Sequence, residues 1–168
     1  MLPTSLKEFF AGSEIFVEAF ATWSKLLAPQ AQADHICYKC ADSAEFEHLR
    51  ALFEHESVFI YQSIISRRRI AIIKFLQPLK TPLGDISLLE LSDQKPDNSQ
   101  KSGWDHIEIY PVDQSLEYLV QYLEQNTVIF EKVVRPHHTT FDATIFGNFK
   151  VRLEAEALLA KIKREEML

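Results

Sequence analysis

Gly103-Trp104-Asp105-His106-Ile107-Glu108-Ile109-Tyr110-Pro111 alternates polar and apolar side chains from His106 on, the period of a half-buried strand. Its Asp-His-Ile is written a second time, at Asp34-His35-Ile36. If both copies are strands, His35, Cys37 and Lys39 share one face in the first, and His106, Glu108 and Tyr110 share one face in the second. Ile36, Tyr38 and Cys40, and Ile107 with Ile109, point the other way, and those apolar faces should take helices. Both histidines are therefore expected on the helix-free face.

The order of elements around each copy repeats. Residues 35–40 alternate as a strand, and 43–55 carry Phe46, Leu49, Leu52 and Phe53 at helical spacing. Residues 58–65 and 70–76 are β-rich and joined by Ser66-Arg67-Arg68-Arg69, which reads as a hairpin turn; 86–91 is a further strand after Pro82 and Gly84. The second copy runs through a strand at 104–110, a helix at 115–125 with Leu116, Leu119, Val120 and Leu123 as its stripe, and strands at 128–134, 139–146 and 149–155. Both copies spell β-α-β-β-β. Sliding one onto the other also aligns Asp42 with Asp113, Leu49 with Val120 and Leu52 with Leu123.

The predicted fold is α+β: two tandem βαβββ modules forming a curved, half-barrel-like mixed sheet with helices outside, plus an N-terminal helical extension. The expected divisions are an extension at 1–30, modules at 31–92 and 103–156, a turn-rich linker at 93–102 and a helical tail at 157–168, all in one compact domain. The extension opens on a capping-box spacing, Ser5 to Glu8, and carries Phe9, Phe10, Phe16, Phe20 and Trp23 for packing.

Bulk composition narrows the function classes. With 168 residues, 46% of them hydrophobic, the chain can bury a sizeable core. No low-charge stretch approaches the roughly 20 apolar residues that span a bilayer, and no basic-then-apolar leader opens the chain. A net charge of −6 argues against nucleic acid or an anionic membrane as partner. Cys37 and Cys40, the two cysteines, should face opposite sides of a strand, as reduced residues of a cytoplasmic protein rather than a disulfide.

The fourth strand of each module adds a carboxylate: Glu90 lies within Leu88-Leu89-Glu90-Leu91, and Glu154 shares the parity of Arg152. Two imidazoles and two carboxylates converging on one cavity make a site for a single divalent ion, with zinc, nickel, iron, manganese and cobalt all suited. His35, Glu90, His106 and Glu154 are accordingly the expected metal ligands, with Glu90 and Glu154 as candidate proton-transfer groups. Lys39 and Glu108 could pair inside the cavity, and Arg68 and Lys74, of one parity, could meet a substrate carboxylate. His138, in the Pro136-His137-His138-Thr139-Thr140 connection, could cover the cavity and move a proton.

Tandem βαβββ modules with such ligands resemble the vicinal-oxygen-chelate superfamily of glyoxalase I and the extradiol dioxygenases. Ala33-Asp34-His35-Ile36, Ser87-Leu88-Leu89-Glu90-Leu91 and the 103–109 stretch resemble the YecM family within it. The resemblance implies a bacterial cytoplasmic metal-binding protein and puts His35, Glu90 and His106 on ligand positions. In glyoxalase-like strands the fourth carboxylate stands where this chain has Arg152, so Glu154 is the expected substitute. The functions to weigh are a metal-dependent isomerase or lyase on a small oxygenated anionic metabolite, a binding protein without turnover, and a non-haem iron dioxygenase.

Overall fold

The computed structural model describes residues 1–136 and 138–166. The extension forms α1 (Leu6–Ala11) and α2 (Glu14–Leu27). The first module follows as β1 (Ala31–Lys39), α3 (Ser43–Leu52), β2 (Ser57–Ile65), β3 (Arg68–Leu79) and β4 (Ile86–Ser92). The second runs β5 (Gly103–Pro111), α4 (Leu116–Gln125), β6 (Glu131–Val134), β7 (Thr139–Phe146) and β8 (Phe149–Leu153), and α5 (Leu158–Glu166) closes the chain. The β-α-β-β-β order is thus found twice.

All eight strands belong to one open mixed sheet, ordered β2-β3-β4-β1-β5-β8-β7-β6. Each module contributes four, with β1 parallel to β4 and β5 parallel to β8, and the two modules meet where β1 runs antiparallel to β5. Ile36 lies opposite Ile107, so the residues that follow the two repeated histidines face each other at the centre of the seam. His35 then stands opposite Glu108 and Cys37 opposite His106.

Hydrophobic patterning places the helices. Ile36, Leu89, Leu91, Ile107, Ile109, Val151 and Leu153 on one face pack with Phe9, Phe20, Phe46, Leu49, Leu119 and Leu123 from α1 to α4. Phe9, Phe10 and Tyr38 surround Trp104, with ring centroids 4.7–6.1 Å from it, so the extension packs on the start of β5.

The tail differs from expectation: α5 lies on the other face. Its Leu158 and Ile162 pack on Ile70, Ile72 and Leu88, which share the parity of the histidines. The helices are therefore outside except at the C-terminus, where three apolar side chains on the helix-free face of the first module supply a reason to be covered.

Turn chemistry explains two corners. Ser66 and Arg67 both have positive φ (51° and 60°), as a two-residue hairpin of the primed type requires. Gly147 (φ 54°) opens the matching turn between β7 and β8, where its lack of Cβ removes the steric cost. Residues 93–102, expected as a linker, are tied down: Gln100 Nε2 donates to the carbonyls of Cys40 and Asp93 at 2.8 and 2.9 Å, and Asp93 accepts from Arg69.

The aligned aspartates turn out unequal. Asp42 caps α3, accepting the Glu45 N–H at 2.8 Å, while α4 is capped by Ser115 and Asp113 sits at a positive φ. Asp42→Ala should therefore cost about 1 kcal/mol of stability, read as a lower urea midpoint at constant slope, and Asp113→Ala much less.

Candidate metal centre

Two β-bulges build the site. Between Ala33 and His35 the β1 strand carries one residue more than β5, and between His106 and Trp104 the β5 strand carries one more than β1. The extra residues are Asp34 and Asp105. A bulge bends the strand and re-aims a side chain, and here each aspartate turns toward the histidine that follows it. His35 Nδ1 lies 2.7 Å from Asp34 Oδ2, and His106 Nδ1 lies 2.8 Å from Asp105 Oδ2. An Nδ1–H donated to a carboxylate fixes the tautomer and leaves Nε2 as the ligating atom, the orientation that metal-bound histidines usually have.

Both Nε2 atoms face one interior. The rings are 5.7 Å apart and nearly perpendicular, and both histidines are buried. His35 Nε2 is 3.6 Å from Glu90 Oε2 and 3.8 Å from Glu108 Oε2. It has no hydrogen-bond partner among the described residues, nor has Glu108 Oε1. Buried polar atoms left unpaired cost about 1–3 kcal/mol each, so two of them converging mark a place built for something else. Among the described residues, donor atoms of His35, His106 and Glu108 lie within 4.8 Å of one another, as do those of Cys37, Glu90 and His106. A divalent cation fits the nitrogen and oxygen donors here: two oriented imidazoles and two carboxylates around an unsatisfied centre.

Electrostatics point the same way. Burial depresses the His35 pKa, but Glu108, Asp34 and Glu90 outweigh it and hold the imidazole up to about 9. Burial pushes the Glu108 carboxyl up to about 7, with Glu90 adding to the push against the pull of His35. Carboxylates are in excess around His35. His106 goes the opposite way, lowered to about 4 by burial and then by Arg152, whose guanidinium nitrogen is 3.4 Å from His106 Nε2. It is thereby held in the neutral form that binds metals.

Two residues of the centre, Glu90 and His106, line a cleft of about 520 Å³ together with Lys39 and Asp142. Arg67, Arg68, Lys95, Arg135, Lys150 and Arg152 also line it. Only Arg152 of these six is in an ion pair among the described residues, with Asp142. The cleft is thus basic in a protein of net charge −6.

The sequence candidates fall as follows. His35, His106, Glu90 and Glu108 converge, and Glu108, expected as a substrate contact, is a ligand candidate by position. Glu154 does not join them. Its strand ends at Leu153, and its buried carboxylate accepts from Lys161 Nζ at 2.7 Å and from the Ala155 N–H at 2.9 Å. Lys39 pairs with Asp105 at 2.8 Å rather than with Glu108. Arg68 lines the cleft and donates to Gln100 Oε1. Lys74, opposite Leu88, is not among the cleft residues. His138 Nε2 is 3.4 Å from Glu154, and His137 lies outside the described residues. Sequence reasoning missed Asp34 and Asp105 as orienting groups, although the aspartate precedes the histidine in both copies.

Comparison with known proteins supplies a family. The family model described as "YecM protein" matches residues 4–163. Protein YecM of Escherichia coli (strain K12) is 31% identical over 77 residues, 46% of this chain, and the match spans 41% of that protein's length. A solved structural-genomics protein, EC4020, superposes with a TM-score of 0.75 at 19% identity, covering 98% of each chain. A methylmalonyl-CoA epimerase with methylmalonyl-CoA and NH4+ gives a TM-score of 0.49 at 17% identity over 77% of this chain and 96% of its own.

Proposed function

This chain belongs to the YecM family, and from that premise we propose that it binds one divalent metal ion at the seam between its modules and acts as an isomerase or lyase on a small oxygenated anionic metabolite. The carrying observation is the pair of buried histidines, each anchored at Nδ1 by its own bulge aspartate, with His35 Nε2 unpartnered among the described residues and close to Glu90 and Glu108 at 3.6 and 3.8 Å.

His35, His106, Glu90 and Glu108 would hold the ion. Nitrogen and oxygen donors of this kind suit zinc, nickel, cobalt, iron or manganese. The bound ion would supply Lewis acidity, lowering the pKa of a C–H or O–H beside a chelating oxygen.

The residues of the chain do the rest. Arg68, Lys150 and Lys39 line the approach and would orient an anionic substrate. Glu90, the carboxylate among the ligand candidates that lines the cleft, has a side chain 23% exposed and would take the substrate proton. The Leu158 and Ile162 side chains of α5 exclude water from the first-module side of the centre. Glu154 holds Lys161, and with it α5, against the sheet.

Elemental analysis of native protein should return one transition-metal equivalent per chain. Incubation with oxygenated acids in deuterated water should then exchange a substrate C–H in a metal-dependent manner. Metal without exchange across such a panel would reduce the reading to a binding protein, and protein that retains no ion after loading would refute it.

A further inference from the structure

The ligand set assigned above is all nitrogen and oxygen, yet a sulfur atom faces the same hollow. Cys37 is fully buried on β1, pairs in register with His106 on one side and Glu90 on the other, and its Sγ lies 3.5 Å from Glu90 Oε1. Cys40, by contrast, packs in the core under the helices, so the two thiols have separate surroundings.

The seam's pseudo-symmetry gives Cys37 its meaning. With Ile36 opposite Ile107, the exchange of modules carries His35 onto His106 and Cys37 onto Glu108. The strand outside each follows: Cys37 faces Glu90, as Glu108 faces Arg152. The first module therefore presents imidazole, thiol and carboxylate, and the second imidazole, carboxylate and guanidinium. The guanidinium cannot ligate and is committed to Asp142 through two hydrogen bonds of 2.8 and 2.9 Å. The donors available to an ion are weighted toward the first module, where Cys37 is.

Resting on the reading of a metal centre at this seam, we propose that Cys37 is itself a ligand, so that the ion is held by a thiolate together with His106 and Glu90. Those three donors lie within 4.8 Å of one another. His35 Nε2, buried and without a hydrogen-bond partner among the described residues, stands beside this set, 3.6 Å from Glu90 Oε2. Thiolate ligation would release the S–H proton, and Glu90, the carboxylate to which the thiol already points and which opens to the cleft, would pass it to solvent before its own oxygen ligates. Thiolate donors select zinc or cobalt over magnesium and manganese, so the thiol also decides which metals the centre prefers.

Cobalt(II) loading of the full chain tests the assignment by spectrum, without any assay of turnover. The expected result is visible d–d absorption of a bound ion accompanied by a near-ultraviolet sulfur-to-cobalt charge-transfer band. That band should be lost in Cys37→Ser while d–d absorption persists. Competition between zinc and manganese should shift toward manganese in the same variant. Bound cobalt in the wild-type protein without the charge-transfer band overturns the proposal and leaves the nitrogen–oxygen centre standing, a result that needs no folded variant. A band that survives Cys37→Ser overturns it as well. Wild-type protein that takes up no cobalt removes the metal reading itself.

Discussion

His106→Ala protein emerges from metal loading without its ion. His106 is the single residue common to both donor groups, the one with His35 and Glu108 and the one with Cys37 and Glu90. Its loss therefore breaks whichever set the ion uses. Structural zinc sites in peptides carry about 10–16 kcal/mol of apparent binding energy, so one ligand of four is worth roughly 3 kcal/mol, which is about 100-fold in affinity. Glu108→Gln removes a donor from one group alone and should retain measurable binding. Asp105→Asn keeps every ligand but loosens the His106 ring, for which about 10–100-fold is expected. Equilibrium dialysis against zinc, with far-ultraviolet circular dichroism to verify the fold, ranks the three. His106→Ala that binds zinc within a few-fold of wild type would refute the placement of the centre.

The seam was legible in the sequence because a strand's side-chain period is two. Given the alternation after His106 and its echo at His35, both histidines had to share a face, and the repeated β-α-β-β-β order put them at equivalent places in two modules. What parity does not encode is pairing. Nothing local in Ala33-Asp34-His35 says that β1 accommodates an extra residue against β5, since a bulge is a property of two strands in register. The orienting role of Asp34 and Asp105 therefore became visible only with the partner strand in place.

Glu108 and Glu154 show the same limit from the other side. Both were candidates for the correct face, and Glu154 drew the ligand role because its strand was expected to run to residue 155. The strand stops at Leu153, and the backbone N–H of Glu154 makes the last ladder bond, to the Ile109 carbonyl. The chain then turns into α5, whose Lys161 captures the carboxylate. The destination of α5 was itself unreadable: Leu158 and Ile162 announce an amphipathic helix, but their docking surface, Ile70, Ile72 and Leu88, comes from two other strands. Glu108, in the middle of β5, had no such escape. It stays opposite His35, where burial and Glu90 keep its proton on more strongly than an exposed glutamate's.

Asp142→Ala should be the most damaging change to stability among the residues lining the cleft. Arg152 is largely buried, and burial would penalise its charge were it not for Asp142, with Glu90 and Glu108 nearby. The fork-to-carboxylate geometry, Nε to Oδ1 and a terminal nitrogen to Oδ2, satisfies two donors at once. Removing the acid leaves a buried guanidinium without its main partner, for which about 3–5 kcal/mol is the usual cost. The pair is not stabilising merely because breaking it is destructive, since apolar replacement of both members of such a pair is often neutral. Asp142→Leu with Arg152→Met should therefore regain most of what Asp142→Ala loses, a recovery measurable as urea unfolding free energy. A loss below about 1 kcal/mol for Asp142→Ala, the level of an exposed ion pair, would mean that the guanidinium finds Glu90 or Glu108 instead. In that event the single variant should bind metal more weakly, because the relocated Arg152 competes with the ion for those same carboxylates.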